Sequence, residues 1–148
     1  MKKGLIFLIF LMSGTLWLQG QSLKEVRAVY PTASESKEQA IAFAEMMSTA
    51  PTTDVVLQAY KGASKMILAK FTGKRAALLK EGKSLIEDAL QQQPENAELH
   101  LIRLTVQQNL PKTVPYRSHI TADKAFLKAN KATQTTDLQA YISHFLEK

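Results

Sequence analysis

Five prolines, Pro31, Pro51, Pro94, Pro111 and Pro115, limit how long any element of this chain can run. Proline lacks the backbone N–H and its ring clashes with the preceding turn, so helices begin or end beside it. Between the prolines, apolar residues recur at three- and four-residue spacing, and no stretch alternates strictly enough to argue for a strand. The pattern predicts an all-α domain of five to six helices in antiparallel pairs, one domain's worth of its 148 residues.

Local signals bound the elements. Ser36 followed by Gln39 fits a capping box ahead of KEQAIAFAEMM, whose stripe is Ile41, Ala44 and Met46 or Met47. Thr53-Asp54 caps a second helix carrying Val55, Val56, Tyr60, Ala63, Met66 and Ile67 and stopping near Gly73. A third starts around Lys74 and runs to Pro94, so a linker of two or three residues makes these two a hairpin. Asn96 caps a fourth helix that ends at Asn109-Leu110-Pro111. Residues 112–118 are expected as a loop, and helices over Thr121 to Asn130 and Thr136 to Leu146 close the chain. Gly62 and Gly82 fall inside predicted helices, where each costs about 1 kcal/mol relative to alanine. Close approach of the two helices at these glycines is the expected compensation.

The amino-terminal end reads as an export signal. Lys2-Lys3 precedes the uninterrupted apolar run Leu5 to Met12. Extended to Leu18, a helix there reaches about 21 Å, against about 30 Å of bilayer hydrocarbon. Cleavage is expected after Gly20, with 21–33 a flexible segment, 34–148 a single helical domain, and a soluble product in the periplasm or the medium. The chain has no cysteine, which excludes disulfides, thiol nucleophiles and thiolate metal sites. The only tryptophan, Trp17, lies in the signal.

From Gly82 to Leu104, GKSLIEDALQQQPENAELHLIRL resembles the second helix of a tetratricopeptide repeat, its proline turn and the first helix of the next repeat, through Gly82, Ile86, Ala89, Pro94 and Asn96. The resemblance implies paired helices that present a concave face to a peptide or another protein, here as a fragment within a one-off domain. YKGASKMILAK, E-N-A-E-L, R-L-x-x-Q-x-N-L-P and Y-R-S-H-I-x-x-D-K, spanning about Tyr60 to Phe126, resemble a group of short exported bacterial helical proteins. That resemblance implies fold and export and no reaction.

Two groups of polar residues are candidates for function. Arg103 and Gln107 share one helix face, with Asn109, Tyr116, Arg117, His119 and Asp123 following. Arginine with amide and phenol partners suits a carboxylate or phosphate. The structural alternative is that Gln107 and Asn109 satisfy helix-end carbonyls, Arg103 pairs with an acid such as Asp123, and Tyr116 pins the loop. The second group is Lys61, Lys65, Lys70, Lys74, Arg75, Lys80 and Lys83 against the single acid Glu81. These cations are either a solvated surface or a face for an anionic partner. Nucleic acid is not expected, because aromatics are not interleaved with them and export removes the chain from it.

No catalytic motif accompanies these groups. His119 and Asp123 have a ligand-like spacing but are only two, so no metal and no cofactor is expected. No serine sits in a glycine-flanked elbow, and Glu87-Asp88, adjacent on a helix, point their carboxylates about 100° apart. The expectation is an exported, non-enzymatic binding or scaffold module for a protein or peptide of the cell envelope. The alternatives are a small-ligand binder or hydrolase at Arg103, Tyr116 and Asp123, and an anionic-surface binder at the basic helices.

Overall fold

A computed structural model of the chain describes residues 22–147. The expected signal peptide and its cleavage point fall on residues 1–21 and lie outside the described residues. Among the described residues the fold is all-α, with no strand: α1 (Leu23–Val29), α2 (Lys37–Ser48), α3 (Val55–Leu68), α4 (Arg75–Gln92), α5 (Ala97–Asn109), α6 (Ile120–Asn130) and α7 (Thr136–Leu146). Short 3₁₀ turns follow α1 and α6.

Seven helices among the described residues stand against the five or six expected, and the difference lies in the segment 21–33. Residues read as flexible there form α1 and its 3₁₀ extension Tyr30–Thr32. Ser22 Oγ accepts from the Glu25 N–H while the Glu25 carboxylate accepts from the Ser22 N–H, a reciprocal capping box. Tertiary burial then holds this short helix, because Val26, Tyr30 and Ala33 are in the core.

The other caps follow the sequence. Ser36 Oγ accepts from the Gln39 N–H at 3.1 Å, Asp54 Oδ1 from the Val56 and Leu57 N–H groups at 2.9 Å each, and Asn96 Oδ1 from the Glu98 N–H at 3.0 Å. Helix α3 stops earlier than expected, so residues 69–74 form a longer connection than two or three residues. Lys70 and Phe71 donate backbone N–H groups to Ile67 and Leu68, tightening that exit, and Arg75 Nε donates to the Ala69 carbonyl at 3.2 Å.

Helices α3 and α4 form the expected antiparallel hairpin, and its crossing explains both internal glycines. A Cβ on Gly62 would lie 2.7 Å from the Gly82 carbonyl oxygen, and one on Gly82 would lie 2.6 Å from the Gly62 oxygen. No other residue allows that approach.

Helix α5 is the axis of the molecule and packs against α3, α4, α6 and α7. Every residue from 97 to 107 except His100 is buried. Leu99, Ile102 and Val106 face the larger core with Phe43, Met47, Tyr60 and Ile86. Ala97, Leu101 and Leu104 face a smaller core with Leu127, Leu138 and Ile142, and Tyr141 and Phe145 of α7 touch both. A helix buried all round has no solvent face for polar side chains, so Glu98, Arg103, Thr105 and Gln107 must find partners inside. No helix among the described residues is long and apolar enough to cross a membrane.

Candidate binding site

Arg103 sits where α4, α5, α6 and the loop 110–119 meet. Its Nε and Nη2 donate to Asp123 Oδ2 and Oδ1 at 2.8 and 2.7 Å, a bidentate pair, and its Nη1 donates to Glu87 Oε2 at 3.1 Å. Tyr116 donates its hydroxyl to Glu87 Oε1 at 2.5 Å, so both Glu87 oxygens are engaged. Burial opposes charge on both members of the pair. For Asp123 the Arg103 and His100 hydrogen bonds outweigh it and hold the carboxyl below the ordinary aspartate range. For Arg103 the Asp123 and Glu87 carboxylates outweigh it and stabilise the cation. Burial, then the Glu87 carboxylate, pushes the Tyr116 phenol well above its usual value.

His100, which follows no motif in the sequence, joins this cluster. Its Nδ1 lies 2.8 Å from Asp123 Oδ1 and its Nε2 lies 2.7 Å from the Pro94 carbonyl oxygen. Both partners are oxygen acceptors, so the ring bridges α6 to the Pro94 turn. The ring stacks on Phe126 with centroids 3.9 Å apart.

The remaining residues of the first candidate group hold the loop. Arg117 Nη1 donates to the carbonyls of Gln107 and Leu110 at 2.8 and 2.5 Å, and Asn109 Nδ2 donates to the Thr105 carbonyl at 2.8 Å. Gln107 Oε1 accepts from the His119 N–H at 3.1 Å, and its Nε2 lies 3.3 Å from His119 Nδ1. The structure therefore brings together Arg103, Tyr116 and Asp123 in one cluster and Gln107, Asn109 and Arg117 in the adjoining loop clasp. Arg103, Gln107, Tyr116 and Asp123 are buried, and of these four only Tyr116 also lines the cleft between α4 and the loop 110–119. His119 and Asp123 do not converge on a common point: Asp123 faces Arg103 and His100, whereas His119 faces Gln107.

A second buried network lies toward the other end of α5. Arg27 donates from Nε and Nη2 to the Glu98 carboxylate at 2.8 and 2.5 Å, and Tyr60 donates to Glu98 Oε1 at 2.7 Å and lies 3.1 Å from the Tyr141 hydroxyl. The Arg27 guanidinium is held charged first by its hydrogen bond to Glu98, and burial raises the Tyr60 phenol. This network ties α1, α3, α5 and α7 together.

The open feature beside the Arg103 cluster is a cleft of about 510 Å³ between α4 and the loop 110–119. Met66, Ala76, Leu79, Val114 and Pro115 supply apolar walls, and Lys80, Lys83, Glu87, Tyr116, Ser118 and His119 supply polar ones. Its size is that of a ligand pocket. Lys83 Nζ lies over the Tyr116 ring, 5.3 Å from its centroid. A second recess of about 400 Å³ opens between the α1–α2 connection, α3, α5 and Phe145 of α7, with Lys70 and Glu35 on its wall.

The seven cations of the basic segment differ in what they contact. Lys65 pairs with Glu81 at 2.7 Å, Lys61 donates to the Ser48 carbonyl at 3.3 Å, Arg75 caps α3, and Lys70 lies over Phe71 beside the second recess. Lys74 is exposed on the turn before α4, and Lys80 and Lys83 line the cleft.

Ser118 Oγ lies 3.3 Å from His119 Nδ1, but Gln107 shares that nitrogen and no carboxylate orients the ring from its other side among the described residues. No group of three or more potential metal-ligating side chains converges among the described residues. Compared with family models, with curated proteins and with solved structures, the chain matches none.

Sequence reasoning reaches Glu87 only as a divergent pair with Asp88 and His100 only as an isolated histidine, and it gives no sign of the roles of Glu98 or of the cleft. Glu87 carried a readable signal: it and Arg103 stand at equal distances from the turn at residue 95, so an antiparallel pair must face them.

Proposed function

We propose that this chain is an exported, non-enzymatic helical module that captures a protein or peptide segment in the cleft between α4 and the loop 110–119. The observation that carries this reading is the contrast in hydrogen-bonding capacity at that corner. Arg103, Asp123, Glu87 and Tyr116 are engaged with one another, so these four are held as a structural cluster. Immediately beside them an apolar recess of about 510 Å³ opens to solvent with lysines on its rim.

The proposal includes the tetratricopeptide-like reading of α4, the Pro94 turn and α5. It is supported by the burial of Gly82, Ile86 and Ala89 against neighbouring helices. It also includes export through the amino-terminal apolar run.

A photo-reactive amino acid at position 76 in the cleft, compared with one at position 38 on the outer side of α2, tests the capture site in the native envelope fraction. A discrete protein adduct from position 76 and none from position 38 is the expected result. No adduct from position 76, or the same adduct from both, overturns the reading.

A further inference from the structure

We infer that the cleft selects an acidic segment of a polypeptide, one that places a carboxylate beside a large apolar side chain; this rests on the reading of the cleft as the capture site. The argument is a census of what its walls still offer. The one carboxylate in the wall, Glu87, accepts from Tyr116 at Oε1 and from Arg103 at Oε2, so both of its oxygens are held from behind by partners other than the lysines. Lys80 and Lys83 are exposed and have no acidic partner within ion-pair distance among the described residues. Residues 1–21 contain no Asp or Glu that would supply one.

His119 adds a third donor. The Gln107 amide is oriented by its Oε1, which accepts the His119 backbone N–H, and this makes Gln107 Nε2 the donor toward His119 Nδ1. An Nδ1 that accepts fixes the proton of the neutral ring on Nε2. Nε2 has no protein partner among the described residues, so Gln107 presets His119 as a donor on the cleft wall.

Two ammonium groups and an imidazole N–H thus line a recess whose other walls are Met66, Ala76, Leu79, Val114 and Pro115. A bare anion would leave those apolar walls wet, and an apolar chain would leave the donors unmatched. An acidic residue next to Leu, Ile or Phe meets both demands. Met66 has an unbranched, adaptable side chain and can adjust to the shape of the anchor.

Two synthetic peptides test this: they share a leucine–phenylalanine core and differ only in having aspartates or asparagines beside it. Each is titrated into the mature protein at low salt and followed by amide resonances. The expected result is that the aspartate peptide shifts Leu79, Lys83, Val114 and His119 and binds about five- to tenfold tighter than its amide twin. That preference disappears in Lys80→Gln/Lys83→Gln, whose exposed substitutions leave the melting temperature unchanged.

Equal binding of the two peptides at the cleft overturns the acidic preference and leaves the capture reading standing. So does binding of neither peptide when the position-76 adduct still forms. A preference that survives in the lysine variant places the recognition elsewhere and overturns the inference. Octanoate that produces the same shifts at lower concentration than the peptide overturns the polypeptide occupant in favour of a small amphipathic acid.

Discussion

The Arg103 cluster and the lysine cleft are built from the same kinds of side chain and share Glu87 and Tyr116, yet one is closed and the other open. In the cluster each charge meets its opposite within hydrogen-bonding distance, and Asp123 is fully buried. In the cleft the cations stand at the solvent edge of an apolar recess. The difference teaches that an arginine, a phenol and an acid near one another define a site only if some of their hydrogen-bonding capacity is unspent.

The largest effect expected from breaking this comparison is on stability, at Asp123. Asp123→Ala leaves Arg103 and His100 without their shared anion in a buried setting, which costs about 3–5 kcal/mol, read as a lower urea midpoint. Arg103→Met/Asp123→Leu removes both charges and is expected to recover most of that loss. A double variant as unstable as Asp123→Ala would contradict a purely structural pair.

Next in size is the dependence on pH. The folded-state Asp123 carboxyl lies below the ordinary aspartate range, so its stabilisation is complete above about pH 4 and is lost as pH falls through its folded value. Melting temperature is expected to drop on acidification, and less steeply in Asp123→Asn. The alkaline side has the opposite sign. All four tyrosines, Tyr30, Tyr60, Tyr116 and Tyr141, are shifted upward, chiefly by burial. Their contribution is complete below about pH 10 and is lost as pH rises toward their folded values. Tyrosinate absorbance is expected to stay low past that pH and to appear together with unfolding. Stepwise ionisation of the folded protein would show that the phenols are open.

Smaller again is Tyr116→Phe, which removes one hydrogen bond to a carboxylate that water can still reach. It is expected to cost about 1 kcal/mol while leaving the cleft walls in place. The smallest expected effect on stability is that of Lys80→Gln/Lys83→Gln, whose side chains are exposed. There the change should appear in binding and in its salt dependence, because exposed charges are screened over about 10 Å at 0.1 M salt.

Much of the fold was legible because its signals are local. The caps at Ser36, Asp54 and Asn96 lie within three residues of what they bond, and α7 has the boundaries its periodicity predicts. The crossing of α3 and α4 at Gly62 and Gly82 was legible because a glycine inside a helix needs a compensating contact. The first helix was passed over although Ser22 and Glu25 spell a capping box. Its short apolar face is held by Arg27 and Glu98, which are 71 residues apart.

At the candidate site the pairing of Arg103 with Asp123 and the anchoring by Tyr116 were one of two readings the residues allowed, beside a partner-binding one. The complete burial of α5 was not legible, because its polar residues at 98, 100, 103, 105 and 107 obscure any apolar stripe. The cleft was not legible either: Met66, Leu79 and Val114 come from separate segments, and only the path of the loop 110–119 brings them to one wall.

The division of labour between cluster and cleft is tested most directly by comparing position-76 photo-capture in Arg103→Met/Asp123→Leu with that in Lys80→Gln/Lys83→Gln, both folded by circular dichroism. We predict that the first captures its partner as the unmodified chain does and the second loses most of the adduct. Loss of capture in the first with full capture in the second would contradict the account and return the binding role to Arg103 and Asp123.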